Sequence, residues 1–375
     1  MPRASKNSGG NPAAAPDKKR GAPRRSHAAA AAMEGRTRVR NGQRSGEESV
    51  APPPLQLDEQ GRAVAAHTLT NPEARVYIGD CREIIARVPE CRAGTVDLIF
   101  ADPPFNWKRG YDSWNDDMAE EEYLAFTYEW LDLCIGALRD GGSLWVNIPD
   151  DWAAEIVMHL KGRKLTMVNW AIWHYRFGQN TTERFISSKV HVLYFCKGRG
   201  VKGTATKIPG RTWNPTDVLE LSDRASTYFD PRTLEKNDGM PAGRRVPLDV
   251  WYGRHFGRVQ GNNAERRNYH DNQLPEAYLN RVVRCASNPG DLVMDPFLGS
   301  GTTGVMAHAL GRRFIGCEFS PVNAANAIAR IKAGPVRTSE GPTSSAIFEP
   351  RRVGKKTAAR MGGAARSALF DPEIP

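Results

Sequence analysis

Between about residue 70 and residue 332 the chain alternates short β-like runs with helix-like stretches, and two of those runs stop alike, on an aspartate followed by proline. RVYIGD, TVDLIFAD, SLWVNI, MVNWAIWHY and KVHVLYFC are rich in branched and aromatic residues and short enough to be strands. AEEEYLAFTYEWLDLCIGALRDGG has the spacing of an amphipathic helix and is expected to end at its glycines. Later, the strands DLVMDPF and RFIGCEFS are set between the helices PEAYLNRVVRCAS, TTGVMAHALG and PVNAANAIARIKA. Parallel neighbours need connections long enough to hold a helix, so the alternation predicts an α/β fold. Its sheet is expected to be doubly wound, mostly parallel, Rossmann-like and covered on both faces.

One stretch breaks this rhythm. Residues 200–270 are rich in Pro, Gly and Arg with weak periodicity, and the segment 197–270 carries 14 Lys and Arg against 8 acids. Residues 1–50 and 333–375 are basic too, with 11 against 4 and 7 against 4, whereas the remainder is net acidic. A basic insert on an acidic body is the charge plan of a catalytic core with a nucleic-acid-binding region. Residues 1–54 and 333–375 lack the aliphatic pattern needed to bury a core and are expected to be disordered tails. A transit peptide and a phosphate-touching arm both fit the first, and a partner-binding motif or a frayed end fits Leu369 and Phe370 in the second. The domain plan is therefore a tail at 1–54, one half-domain at 70–199, the insert at 200–270, a second half-domain at 271–332 and a tail at 333–375. No apolar run reaches the roughly 18 residues of a membrane span. Six scattered cysteines, with no CxxC and no His-rich neighbour, argue against a metal site and for buried thiols in a reducing compartment.

The sequence DPFLGSGTTG places Gly299, Gly301 and Gly304 in a GxGxxG pattern between a strand and a helix, with Glu318 19 residues after Gly299. Glycines let the backbone approach a ligand, and an acid at the end of the next strand can take both hydroxyls of a ribose. An NAD-linked oxidoreductase is one reading. Asp295 opposes it, because a pyrophosphate at the helix N-terminus would meet a negative charge there. S-adenosyl-L-methionine, with an ammonium and a sulfonium, tolerates that acid.

The other corner is ADPPFNW. Pro103 and Pro104 have no N–H and force the chain out of the sheet, so a stiff turn presents the Asp102 carboxylate and the Pro103 carbonyl side by side at the carboxyl edge of the strand. Phe105 adds an aromatic face. Two acceptors beside an aromatic plate suit a flat heterocycle bearing an amino group: the amine donates both hydrogens, and its lone pair is aimed at an electrophilic methyl. Neither a covalent enzyme intermediate nor a metal is required.

With DPPF and DPFLGSGTTG in this order, the chain resembles the DNA amino-methyltransferases that modify adenine N6 or cytosine N4, in the permuted group where the catalytic motif precedes the cofactor loop. The likeness spans about residues 75–331. It implies a methyltransferase sheet, S-adenosyl-L-methionine as cofactor, double-stranded DNA as partner with the base flipped out, and residues 200–270 as target-recognition region. By the same resemblance the catalytic residues are Asp102, Pro103, Pro104 and Phe105, and the cofactor is held by Asp80, Asp295, Phe297, Gly299, Ser300, Gly301 and Glu318. HDNQLPEAYLNRVV is similar to the family's helix before the cofactor loop through His270, Gln273 and Pro275, with Leu274 where a Lys is usual. An acid before Pro-Pro and a Phe after it favour adenine over cytosine on family pattern. Trp107, Lys108 and Arg109 are candidates to close over the base, and WHYRFGQNTTERF to line the DNA cleft. An RNA or protein amino-methyltransferase and an inert DNA-binding module are the alternatives. The expected location is cytoplasmic, on the nucleoid, and a homodimer is an assembly open to the chain.

Overall fold

The computed structural model describes residues 54–336 apart from 110–113, 176–177, 179, 202–205, 223, 225–227, 229–231, 233–240 and 271. The tails expected at 1–54 and 333–375, with Leu369 and Phe370, lie outside the described residues except at their inner ends, as do parts of 106–117, 173–185 and 200–270. In chain order the regular elements begin with β1 (His67–Thr70), β2 (Glu73–Ile78), α1 (Cys81–Ile85), α2 (Pro89–Arg92), β3 (Val96–Ala101) and α3 (Glu120–Ala137). Then follow β4 (Leu138–Ile148), α4 (Asp150–Lys161), β5 (Leu165–His174), β6 (Lys189–Lys197), β7 (Glu220–Leu221), β8 (Arg244–Arg245) and β9 (Val250–Trp251). The series closes with α5 (Glu276–Ala286), β10 (Leu292–Asp295), α6 (Thr302–Ala309), β11 (Arg313–Glu318) and α7 (Pro321–Ala333).

Nine strands make one sheet in the order β1-β2-β11-β10-β3-β4-β6-β5-β9. The central five, from β2 to β4, are parallel. β1 is antiparallel at one edge, and β6 is antiparallel to both β4 and β5 at the other. From Leu98 on, past an irregularity in the pairing after Val96, alternate residues of β3 go to opposite faces. Leu98 and Phe100 join the core that holds Tyr278, Val282, Val305 and Ile331 of α5, α6 and α7. Val96, Ile99 and Ala101 join the one that holds Ile84, Trp130 and Ile156 of α1, α3 and α4. Burying a side chain such as Phe100 stabilises by roughly 1.5–3 kcal/mol. The central strands are thus gripped from both sides, and their carboxyl ends are fixed mounts for loops.

Two expectations are corrected. Helix α3 stops at Ala137, because Leu138 is already extended (φ −70°, ψ 139°), and the Arg-Asp-Gly-Gly stretch lies in β4 rather than ending the helix. Gly141 has φ +77°, and a Cβ there would sit 2.3 Å from the backbone of Gly210, so the glycine serves a close crossing. Residues 200–270 do not interrupt the body cleanly either. β9 extends the main sheet beside β5, and Val218, Trp251 and Phe256 are buried in the same core as Phe100. Pieces of two to four residues are too short to show a period, which is why the sequence reads as irregular there. The six cysteines are all free and buried, and burial pushes the thiols of Cys91 and Cys285 up to about 12.

Candidate active site

β3 and β10 are parallel neighbours, so the two aspartate-proline corners leave the same edge of the sheet. After β3, the scaffold fixes the proline turn through its carbonyls: Tyr123 Oη donates to Pro104 O at 2.6 Å and Trp152 Nε1 to Phe105 O at 2.9 Å. The Pro103 carbonyl takes no hydrogen bond among the described residues. The ring of Phe105 meets Trp107 edge to face, with centroids 5.1 Å apart. The pairing of β3 with β4 matches Ala101 to Val146, so the next residues stand abreast and Asn147 Nδ2 donates to Asp102 Oδ1 at 2.6 Å. Burial lifts the Asp102 carboxyl to about 7, Asp295 adds to the rise, and Asn147, Arg258 and Arg109 oppose it.

The chain beyond the corner is built, not slack. The buried Asp116 carboxylate accepts the N–H groups of Asn106, Trp107 and Arg109 at 2.9, 3.0 and 3.0 Å. Asn106 and Lys108 hold left-handed φ values of 58° and 56°, uncommon for residues other than glycine and kept in place here by those bonds.

At the second corner, burial raises Asp295 to about 6, and its Oδ1 accepts the N–H of Phe297 at 2.9 Å. Glu318, lifted by burial to about 7, ties the end of β11 to the glycine turn: its oxygens accept the N–H of Gly299 at 2.8 Å and of Ser320 at 2.9 Å. Gly299 has φ +49°, and a Cβ there would lie 2.8 Å from His270 Nε2. Ser300 offers its carbonyl to Tyr269 Oη and Arg330 Nη1, each at 3.1 Å.

Asp80, Asp102, Pro103, Pro104, Phe105, Asp295, Phe297, Gly299, Ser300 and Glu318 line one open cavity, with about 1130 Å³ of empty space including its mouth. Of the residues expected to hold the cofactor or act in catalysis, Asp80, Asp102–Phe105, Asp295, Phe297, Gly299–Gly301 and Glu318, only Gly301 does not: its φ is +81° and a Cβ would press on Ala327 of α7, so its glycine serves helix packing. Asp80 lies two residues past β2, caps α1 and pairs with Arg82 Nη2 at 2.7 Å. The walls hold four carboxylates and, among the described residues, no Lys or Arg. Such a cavity favours a cationic guest and opposes a pyrophosphate. A second pocket of about 490 Å³ adjoins it, lined by Phe105, Trp173, Tyr175, Asn147, Arg109 and Arg258, and Asp102 belongs to both. Arg258 lies over the ring of Tyr175 at 4.9 Å.

Residue reading alone missed Asn147, Tyr278 and Arg258. Asn147 carried a signal: it is a polar residue in the apolar run SLWVNI, one position before the strand's carboxyl end. Arg258 carried none. Among the described residues no cluster of three or more His, Cys, Asp or Glu is placed to hold a metal, and no helix is long and apolar enough to cross a membrane.

Comparison with known proteins adds descent to this geometry. The chain is 35% identical over 248 residues to type II methyltransferase M.BamHI of Bacillus amyloliquefaciens, covering 65% of this chain but only 54% of that protein, so it spans about half the length of that relative. It is 28% identical over 314 residues to DNA adenine methyltransferase YhdJ of Escherichia coli K12, covering 80% of this chain and 95% of that one. The solved structure of PvuII DNA methyltransferase (cytosine-N4-specific) shares the fold, with a TM-score of 0.52, 16% identity, and 76% and 93% of the two chains covered. The family model described as DNA methylase (N6_N4_Mtase) matches residues 96–328, from the start of β3 through most of α7 and hence both corners. The chain belongs to this N6/N4 DNA methylase family.

Proposed function

We propose that the protein transfers a methyl group from S-adenosyl-L-methionine to the exocyclic N6 of an adenine flipped out of double-stranded DNA. The observation that carries this reading is the position of Asp102 and Phe105, on the wall shared by the acid-lined cavity of Gly299 and the aromatic pocket of Trp173 and Tyr175. A reaction between guests of the two spaces has to pass over that corner.

The cavity fits the cofactor by its chemistry. Asp295 and Glu318 offer negative charge to ammonium and sulfonium groups, and the Glu318 oxygens have lone pairs left for ribose hydroxyls after accepting two backbone N–H groups. Bound there, S-adenosyl-L-methionine supplies a methyl group made electrophilic by its sulfonium. The protein does the rest by placement. Asp102 and the Pro103 carbonyl accept the two hydrogens of the amine, Phe105 faces the base, and the fixed turn keeps these groups in position before reaction. As positive charge grows on the nitrogen, Asp102 stabilises it, and a carboxyl raised to about 7 takes a proton more readily than an ordinary one.

Adenine is favoured over cytosine by the family pattern at Asp102–Phe105 and by the name of the YhdJ relative, which aligns over most of both chains. Residues 200–270 serve as the target-recognition region, their basic excess meeting phosphates and Arg258 reaching the base pocket. A DNA substrate puts the protein's work on the nucleoid, in the cytoplasm. All residues invoked belong to one chain, so the chemistry does not call for a homodimer. The test is incubation with methyl-labelled cofactor, unmodified duplex DNA, RNA and carrier protein. Label recovered as N6-methyladenine is expected. N4-methylcytosine would replace the base, and label only on RNA or protein would overturn the substrate.

A further inference from the structure

The Asp102 carboxylate works only if the correct oxygen faces the base, and the corner itself does not decide which. Two residues from separate elements do. Tyr278 of α5 donates through Oη to Asn147 Oδ1 at 3.2 Å, and Asn147 Nδ2, at the end of β4, donates to Asp102 Oδ1 at 2.6 Å. A phenol at its ordinary or a raised pKa is a donor, and burial pushes Tyr278 well above its usual range. An ionised Asp102 only accepts, so the Asn147 amide nitrogen faces it and the amide oxygen is left to take the Tyr278 hydroxyl. With Oδ1 so held, Asp102 Oδ2 is left for a guest in the adjoining pocket. Tyr278 and Asn147 are 0% and 1% exposed, so water cannot substitute for either bond.

We infer that Tyr278 and Asn147 are positioning residues for methyl transfer, a buried donor chain that orients Asp102 and keeps it an acceptor. This rests on the proposed function, since it gives a purpose to the aspartate that reading places at the amine. An alternative, that the two bonds only satisfy buried polar groups, makes a different prediction about pH. Besides Asn147 and Tyr278, the charged groups facing Asp102 are Asp295 at the end of β10, Arg109 of the loop after the corner and Arg258. None of them changes when Asn147 or Tyr278 is replaced. A hydrogen bond to a carboxylate favours its charged form, and losing it costs an amount equivalent to about one to two pKa units.

The experiment measures kcat and kcat/KM for DNA methylation from about pH 5.5 to 9 in the wild type, Asn147→Leu, Tyr278→Phe and the double variant, with cofactor affinity by calorimetry. The wild type should lose kcat/KM as pH falls through about 7, where Asp102 protonates and loses the charge that makes it a strong acceptor. In Asn147→Leu that limb should move about one to two units higher and kcat should fall about 10- to 100-fold, with cofactor affinity within about threefold. Tyr278→Phe should move the limb the same way by a smaller amount, and should add nothing once Asn147 is Leu, the mark of residues acting in series. An unmoved limb in Asn147→Leu, with kcat within about threefold, overturns the inference. If Asn147→Leu no longer binds cofactor, Tyr278→Phe alone decides, and an unmoved limb there overturns it equally. A wild type that methylates no DNA base would instead sink the function itself.

Discussion

The two spaces that meet at Asp102 are opposites. One is walled by Asp80, Asp102, Asp295 and Glu318, with no Lys or Arg among the described residues, and a glycine turn lines it. The other has Arg109 and Arg258 among Trp173, Tyr175 and Phe105. Opposite charge suits opposite guests, a cation in the first and a base attached to a polyanion in the second. The corner between them belongs to neither space alone, since Asp102 lines both and its charge helps define the acidic one. Substitutions in each space should therefore fail in different measurements, and only the corner and the Asn147–Tyr278 pair that holds it should fail in turnover.

Asp102→Ala is the largest expected effect. Removing the preorganised acceptor should lower kcat by about 10²- to 10³-fold, the scale for losing one such group. Cofactor binding by calorimetry should persist within about threefold, because Asp295 and Glu318 remain. Turnover within a few-fold of wild type would remove Asp102 from the reaction. Next comes Glu318→Ala, which strands the N–H groups of Gly299 and Ser320 and takes one charge from the acidic space. Hydrogen bonds to a charged group are worth about 1.5–3 kcal/mol each, so cofactor affinity should fall about 10- to 100-fold. At saturating cofactor kcat should recover to within about threefold. An unchanged affinity would separate Glu318 from the cofactor and leave it a brace for the turn.

How much of this division could be read in the sequence follows from the length scale of each feature. Proline and glycine act within a few residues, so ADPPF and DPFLGSG announced a stiff corner and an open turn, and the strand before each fixed which edge of the sheet they occupy. The spacing of Gly299 and Glu318 reported a real tie between β10 and β11. Gly301 shows the limit of that argument: it belongs to the same pattern, yet its φ and the nearness of Ala327 make it a packing glycine. Asn147 was half legible, as a polar residue near the carboxyl end of an apolar strand, but its partner depended on β3 and β4 lying side by side. Helix α3 was read too long because helical spacing continues through Leu138, and nothing local signals that β4 claims it. Arg258 could not be found, since its place beside Asp102 depends on how residues 200–270 fold back across the sheet, over 150 positions along the chain.

Arg258 is therefore the sharpest check on the division, though its expected effect is the smallest. Burial lowers the pKa of its guanidinium, and it lies over the ring of Tyr175 in the second pocket, as a charge facing Asp102. An exposed lysine or arginine on the DNA surface would be lost with a uniform weakening of binding and a shallower salt dependence. Arg258→Gln removes a charge from the pocket itself. The expected loss is about 3- to 10-fold in kcat/KM for DNA, on the order of one hydrogen bond, with cofactor affinity unchanged. Because the Arg258 charge helps keep the Asp102 carboxyl ionised, the acid limb should also rise, by less than in Asn147→Leu, where a direct hydrogen bond is lost. A cofactor defect in Arg258→Gln would mean that the two spaces are one.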